Sequence, residues 1–296
     1  MWSASHRTAD ACPWPGVLTA PRLSVLATGT QAGWRRAALL YSVDEGDSWI
    51  AAGSTAAPAT MGVVEQPPGD GASTLIDRAN DLVVRLARAD MILADADPAG
   101  LGQGRNLALV GEEMLQFARA VPLGAGRWRL SDLRRGSRGT DWASAGHRVG
   151  EDFALLEPDT IGSIDVGIER VGHRVRVLAT GIGDGAAPAP AAVTVSGASI
   201  LPPSPVRLAV QALSGGAWRV SWTRRSRPGW GWPDGVDAPL AEEAERYEVT
   251  TTDPAGVRST VAVNSPTVDV TASAGSWIDV RQIGTYGSSR PATITI

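Results

Sequence analysis

From Val206 to the C-terminus the chain alternates apolar and polar residues in short runs broken by Gly, Pro, Asn and Asp. The runs are Val206-Arg-Leu-Ala-Val210, Trp218-Arg-Val-Ser-Trp222, Arg246-Tyr-Glu-Val-Thr250, residues 257–263, Thr267-Val-Asp-Val-Thr271, Ser276-Trp-Ile-Asp-Val280 and Ala292-Thr-Ile-Thr-Ile296. A period of two puts one apolar face on a strand. Seven such strands in about a hundred residues, with turn residues between them, predict a β-sandwich. The whole chain shares this bias: 34 Gly and 20 Pro in 296 residues are too many for a helical bundle and suit tight turns.

Before that sandwich the pattern is less regular. Residues 1–20 are rich in Pro and Ala and predict an arm or linker. Residues 21–160 carry strand-like runs at 37–43, 106–110, 114–121, 127–133 and 152–156, with Pro122-Leu-Gly-Ala-Gly126 placed as a hairpin connection. The stretch 73–94 fits two templates, a helical face through Leu75, Ile76, Ala79, Leu82, Val83 and Leu86, or a strand at 82–86. Residues 161–201 hold one strand-like run at 174–178 and a Gly/Pro/Ala tract at 181–190, and predict a linker with short strands. The expected fold class is all-β with two domains: an irregular β-sandwich-like domain over 21–160 and a regular sandwich over 202–296.

Several kinds of chemistry are excluded. All 27 cationic residues are Arg, so lysine Schiff-base and P-loop mechanisms have no residue to use. A formal charge of -4 leaves no basic field for sequence-independent nucleic-acid binding. Cys12 is the sole cysteine, and His6, His147 and His173 are too far apart for a local metal motif, so no metal and no cofactor is expected. No apolar run is long enough to cross a bilayer, and a soluble protein without membrane insertion is expected.

The remaining motifs read as structural. Gly100-Leu-Gly-Gln-Gly104 and Gly181-Ile-Gly-Asp-Gly185 lack the dinucleotide-loop spacing. Ser42-Val-Asp-Glu-Gly-Asp-Ser-Trp49 resembles the Asp-box of sialidase-like propellers, but a single copy predicts a hairpin device rather than a propeller. His147 has no orienting partner in its flanking sequence and is expected in a loop. Glu112-Glu113 and Glu242-Glu243 are adjacent pairs, which a strand sends to opposite faces, and are expected as solvated charge. Arg134-Arg-Gly-Ser-Arg-Gly-Thr140 and Arg224-Arg-Ser-Arg227 could grip phosphate or an acidic polymer, or could hold loops through bidentate bonds to carboxylates and carbonyls. The second use is the expected one. No catalytic residues are assigned, and no enzymatic activity is expected.

Two consecutive segments carry a family likeness. Asn106-Leu-Ala-Leu-Val-Gly-Glu-Glu-Met-Leu-Gln-Phe-Ala-Arg-Ala120 and Gly126-Arg-Trp-Arg-Leu-Ser-Asp-Leu-Arg-Arg-Gly-Ser-Arg-Gly-Thr140 resemble the host-specificity or tail-tip proteins of siphophages and gene transfer agents, where a "GEELLQF" strand precedes an "RLSGLLRGRRGT" strand and turn. Pro202-Pro-Ser-Pro-Val206 and Ser221-Trp-Thr-Arg-Arg-Ser-Arg-Pro-Gly-Trp230 resemble the start of the fibronectin-III-like domain that follows in those proteins. One departure is Asp132, which stands where the family has Gly. The resemblance implies a virion component at a phage-like tail tip or baseplate hub, made in the cytoplasm before assembly. Its implied partners are other tail-tip proteins, further copies of itself, and a cell-surface glycan or protein receptor. It covers the C-terminal part of such proteins, so the cell-wall-degrading activity of some relatives is not carried over.

The regular sandwich also yields residue-level expectations. Val220 and Trp222 should face inward with Tyr247 meeting them, and Trp277 should fill the place of the tyrosine-corner ring. The connection 223–245 is far longer than a hairpin needs, and its Gly229-Trp-Gly-Trp-Pro233 makes Trp230 and Trp232 the candidate binding residues. A rival function is an accessory glycan-binding module of a carbohydrate-active protein, which the Asp-box and the 11 Trp would suit.

Overall fold

The computed structural model describes residues 4–9, 17–29, 33–181, 190–229 and 238–296, with backbone alone for 4–9. The chain is all-β and divides into two compact units, one dominated by residues 20–197 and the other by residues 198–296.

Among the described residues the second unit carries seven strands, all at the places the alternation indicates. β15 (Val206–Ala212), β16 (Ala217–Thr223) and β19 (Thr267–Thr271) form one antiparallel sheet. β18 (Arg258–Val263), β17 (Arg246–Thr252), β20 (Trp277–Ile283) and β21 (Ala292–Thr295) form the other, in that order. Val220, Trp222, Tyr247, Val249, Ile278 and Val280 make the core between them. Trp222 and Tyr247 meet edge to face at 5.0 Å between ring centroids. Burial, helped by its hydrogen bond to Glu245, pushes the Tyr247 hydroxyl far above its ordinary pKa. Trp277 corrects the expectation of a buried corner ring: it is 38% exposed. Ile278, Val280 and Gln282 take the inward positions of β20, and the period of two leaves Trp277 on the outer face.

The first unit holds two bodies of structure. Its terminal portions build a sandwich. β1 (Ala4–Ala9), β2 (Arg22–Gly29) and β12 (Ile161–Asp165) form one sheet. β14 (Ala191–Thr194), β13 (Arg174–Gly181), β3 (Ala37–Ser42) and β4 (Ile50–Ser54) form the other. Leu23, Val25, Leu39, Ile164, Val175 and Val177 share one buried cluster. In each sandwich the first, second and fifth strands form the three-stranded sheet, and the other four run fourth, third, sixth, seventh. The chain therefore repeats one fibronectin-III-like strand order. Two expectations change here. Residues 4–9 of the arm are a strand paired along its length with β2, and 161–181 with 191–194 supply three strands of this sandwich.

Between the fourth and fifth strands of that first sandwich the chain inserts a barrel. β10 (Arg127–Arg134), β7 (Leu82–Leu86), β5 (Met61–Gln66), β11 (Asp152–Leu155), β8 (Leu107–Val110) and β9 (Glu113–Gly124) pair in sequence, and β9 pairs back onto β10. Six antiparallel strands thus close on themselves, which leaves no free edge around the ring. β6 (Ile76–Asp77) adds to the far end of β10. Val64, Leu82, Val84, Leu115, Phe117, Leu130 and Phe153 fill the interior. Within 73–94 the run 82–86 is strand, because Leu82, Val84 and Leu86 alternate into this interior, a use a helix could not serve. The β9–β10 hairpin turns at Ala125 and Gly126, both with positive φ (52° and 73°), the two-residue geometry that matches strand twist. The barrel enters and leaves at one place: Ala57 N–H bonds the Asp159 carbonyl at 3.2 Å, and Met61 pairs with Ala154.

Candidate functional site

Two loops carry the residues singled out from the sequence. The first follows β10, where Arg134 and Arg135 point to opposite faces. Glu113 shares a face of β9 with Leu115 and Phe117 at the barrel's end, and Arg135 meets it there. Arg135 Nε donates to both Glu113 oxygens (3.0 and 3.1 Å), Nη1 to the Gly69 carbonyl (2.8 Å) and Asp77 Oδ2 (3.2 Å), and Nη2 to the Ser144 carbonyl (2.6 Å). Both side chains are 0% exposed. Glu113 also accepts from Gly136 N–H at 2.6 Å. A buried ion pair is tolerable when each of its nitrogens and oxygens has a hydrogen-bond partner, as here.

His147 completes the cluster. Nε2 lies 2.8 Å from Glu113 Oε2 and Nδ1 lies 2.6 Å from Glu151 Oε2, with the ring 3% exposed. A neutral imidazole has one N–H and cannot donate to both carboxylates, so the doubly protonated ring fits the site. The Glu113 hydrogen bond is the largest influence raising the His147 pKa, burial opposes it, and Glu151 adds to the rise. These contacts overturn two readings of the sequence. His147 does have orienting partners, and Glu113 is buried charge while its neighbour Glu112 is exposed. Glu151 stands four residues from His147 and was visible in the sequence; Glu113 comes from a distant strand and left no local sign. The cluster is enclosed, and what it does is pin the loop 135–150 to β9. Thr140 adds a second pin, its Oγ1 accepting from Met114 N–H at 2.8 Å.

The outward face of the same segment is different. Arg134 lies directly across from Gln116 in the β9–β10 ladder. With Leu101, Leu107, Ser137 and Arg138 they line a groove of about 300 Å³. Gln116 Nε2 is fixed by the carbonyls of Leu101 (2.9 Å) and Arg105 (2.7 Å). The Gly100–Gly104 segment beside it is one short helical turn, α1 (Pro98–Gly102), capped by Asp97 and without phosphate-loop form.

The second loop lies between β16 and β17. Trp230 and Trp232 fall outside the described residues, but the stems on either side of 230–237 are tied together. Arg224 Nη2 reaches the Ala238 carbonyl (2.5 Å), Ser226 Oγ the Pro239 carbonyl (2.6 Å), and Arg227 the Glu242 carboxylate (2.7 Å) and Ala241 carbonyl (2.8 Å). Glu242 in turn accepts from Thr285 N–H at 2.8 Å, and its buried side chain corrects the expectation of solvated charge. Arg135, Arg224 and Arg227 thus serve as loop clamps, as the bidentate reading supposed. The Ser42–Trp49 motif is likewise a turn between β3 and β4. Asp44 accepts from Ser42 Oγ (2.7 Å), Ser48 N–H (3.0 Å) and Ser48 Oγ, and these bonds, led by the Ser48 hydroxyl, hold its carboxyl far below the usual range. Among the described residues, no group of three or more His, Cys, Asp or Glu could hold a metal.

The barrel is where a known family matches. The family model described as "Rcc01698-like, C-terminal" covers residues 59–154, the inserted barrel and neither sandwich. The segments 106–120 and 126–140 that resemble tail-tip proteins lie inside that match. No curated protein matches the chain in sequence. Among solved structures, a two-domain fibronectin type III segment of chicken tenascin is 11% identical over 99% of this chain and 97% of its own, with a TM-score of 0.27. The FN1–FN3 domains of chicken CNTN1 are 14% identical over 98% and 96%, with a TM-score of 0.25. At those scores the sandwich assignment rests on the strand order described above.

Proposed function

We propose that this chain is a structural and attachment subunit of a phage-like tail tip. The observation that carries the reading is the coincidence of the matched family, the tail-tip-like segments and one closed structural body, the inserted barrel. Two fibronectin-III-like sandwiches flanking it in sequence suit a scaffold that displays loops. In this reading the barrel docks on neighbouring tail-tip proteins or on further copies of the chain. The long loop of the second sandwich, with its tied stems and its Trp pair Trp230 and Trp232, faces a glycan or protein receptor on the target cell. The chain is made in the cytoplasm and ends in the particle. The rival glycan-module reading loses its Asp-box support, because Ser42, Asp44 and Ser48 bond within their own turn and Glu45 pairs with Arg176 of β13.

Gene inactivation tests the proposal. Loss of the whole chain should abolish infectious or transducing particles, and Trp230→Ala with Trp232→Ala should leave assembled particles that fail to adsorb. Normal titre from a strain lacking the chain would overturn it.

A further inference from the structure

We infer that the groove on the outer face of the barrel, between α1 and the segment 134–138, binds an oxyanion group, a phosphate or carboxylate carried on a larger ligand. Independently of the tail-tip reading, this rests on how differently the chain treats its neighbouring arginines. Every guanidinium nitrogen of Arg135 bonds a carboxylate or a carbonyl. Arg134 and Arg138 on either side of it have no ion pair and no side-chain hydrogen bond among the described residues, and both line the groove. No lining residue is acidic, in a chain whose Asp and Glu outnumber its Arg by 31 to 27. Two guanidinium groups without a local carboxylate are complementary to a bidentate oxyanion.

The backbone that carries the two cations is also tied down. Arg134 is held in the β9–β10 ladder opposite Gln116, whose own amide is fixed by two carbonyls, so its backbone position is set before a ligand arrives. The segment beyond is pinned from behind by the bonds from Arg135 and Gly136 to Glu113 and from Met114 N–H to Thr140 Oγ1. Arg138 adopts φ 58° and ψ 24°, a left-handed conformation that a non-glycine residue holds at a cost. Glycine would hold it freely, yet the position carries a guanidinium. Ser137 adds a hydroxyl beside the two cations, and buried Leu101 and Leu107 give the groove an apolar wall.

Binding of pyrophosphate and of trigalacturonate to the full chain, by calorimetry at low salt, tests this and separates phosphate- from carboxylate-bearing ligands. Binding of either, weakened at least tenfold by Arg134→Gln with Arg138→Gln and unchanged by Arg258→Gln in the other unit, supports the site. Arg138→Gly gives an independent check, since it removes the cation and the backbone strain together: it should raise the melting temperature while weakening binding. Absence of binding by both probes overturns the proposal. So does a loss equal to that of the Arg258 control, or an affinity unaltered by the double change.

Discussion

Truncating Trp222 to alanine should cost about 3–5 kcal/mol, because its ring is buried against Tyr247 and its removal leaves a cavity. Trp277→Ala should cost about 0.5 kcal/mol or little more, as expected for a partly exposed surface position. Denaturant midpoints of the two variants check the contrast, and equal losses would mean that β20 is out of register. His147 makes a second prediction at this scale. Its folded pKa is raised above the ordinary value of 6.5, so its contribution is fully present below that value and is lost as pH rises through the folded one. Each ring nitrogen faces a carboxylate, Glu113 or Glu151, with Arg135 and Asp77 behind Glu113. Amides of 136–150 should therefore lose hydrogen-exchange protection as pH rises beyond the ordinary histidine value and through the raised one, after correction for intrinsic rates. His147→Gln should remove that dependence; an unchanged profile in the variant would show that another group carries it.

At the scale of elements, the inserted barrel is separable in principle, since its two stems meet at Ala57 and Asp159. Replacing residues 58–158 with a short Gly/Ser turn, together with Leu26→Thr to mask the surface that Leu26 presents to Met61 and Ala154, should leave a sandwich that unfolds cooperatively around Leu39, Val175 and Val177. A chain with no cooperative transition would show that the first sandwich needs the barrel to fold. This insertion also explains which parts of the fold the sequence reveals. The second sandwich is legible because its strands alternate cleanly and its turns are local. The first is hidden because four of its strands lie before the barrel and three after it, so 161–201 looks like a spacer although Val175, Val177 and Val195 are core. Barrel closure depends on β5–β11 and β8–β11 pairs that no local pattern encodes. The Arg clamps were foreseeable from guanidinium chemistry. Which arginine of Arg134 and Arg135 turns inward was not, because Asp132 has φ 53° within β10 and resets the alternation so that Leu130 and Leu133 both face the core.

For the whole molecule, two sandwiches of one strand order and an inserted barrel describe a chain whose sheets supply stability and whose loops remain available for contact. The tail-tip proposal makes the barrel the part that recognises the particle and the second sandwich the part that presents a contact loop. The most direct test is immunogold electron microscopy of purified tailed particles from the producing cells, with antibody raised against residues 202–296. Gold is expected at the distal end of the tail and nowhere else on the particle. Particles that carry no label, while mass spectrometry finds the chain only in the soluble fraction, would contradict it.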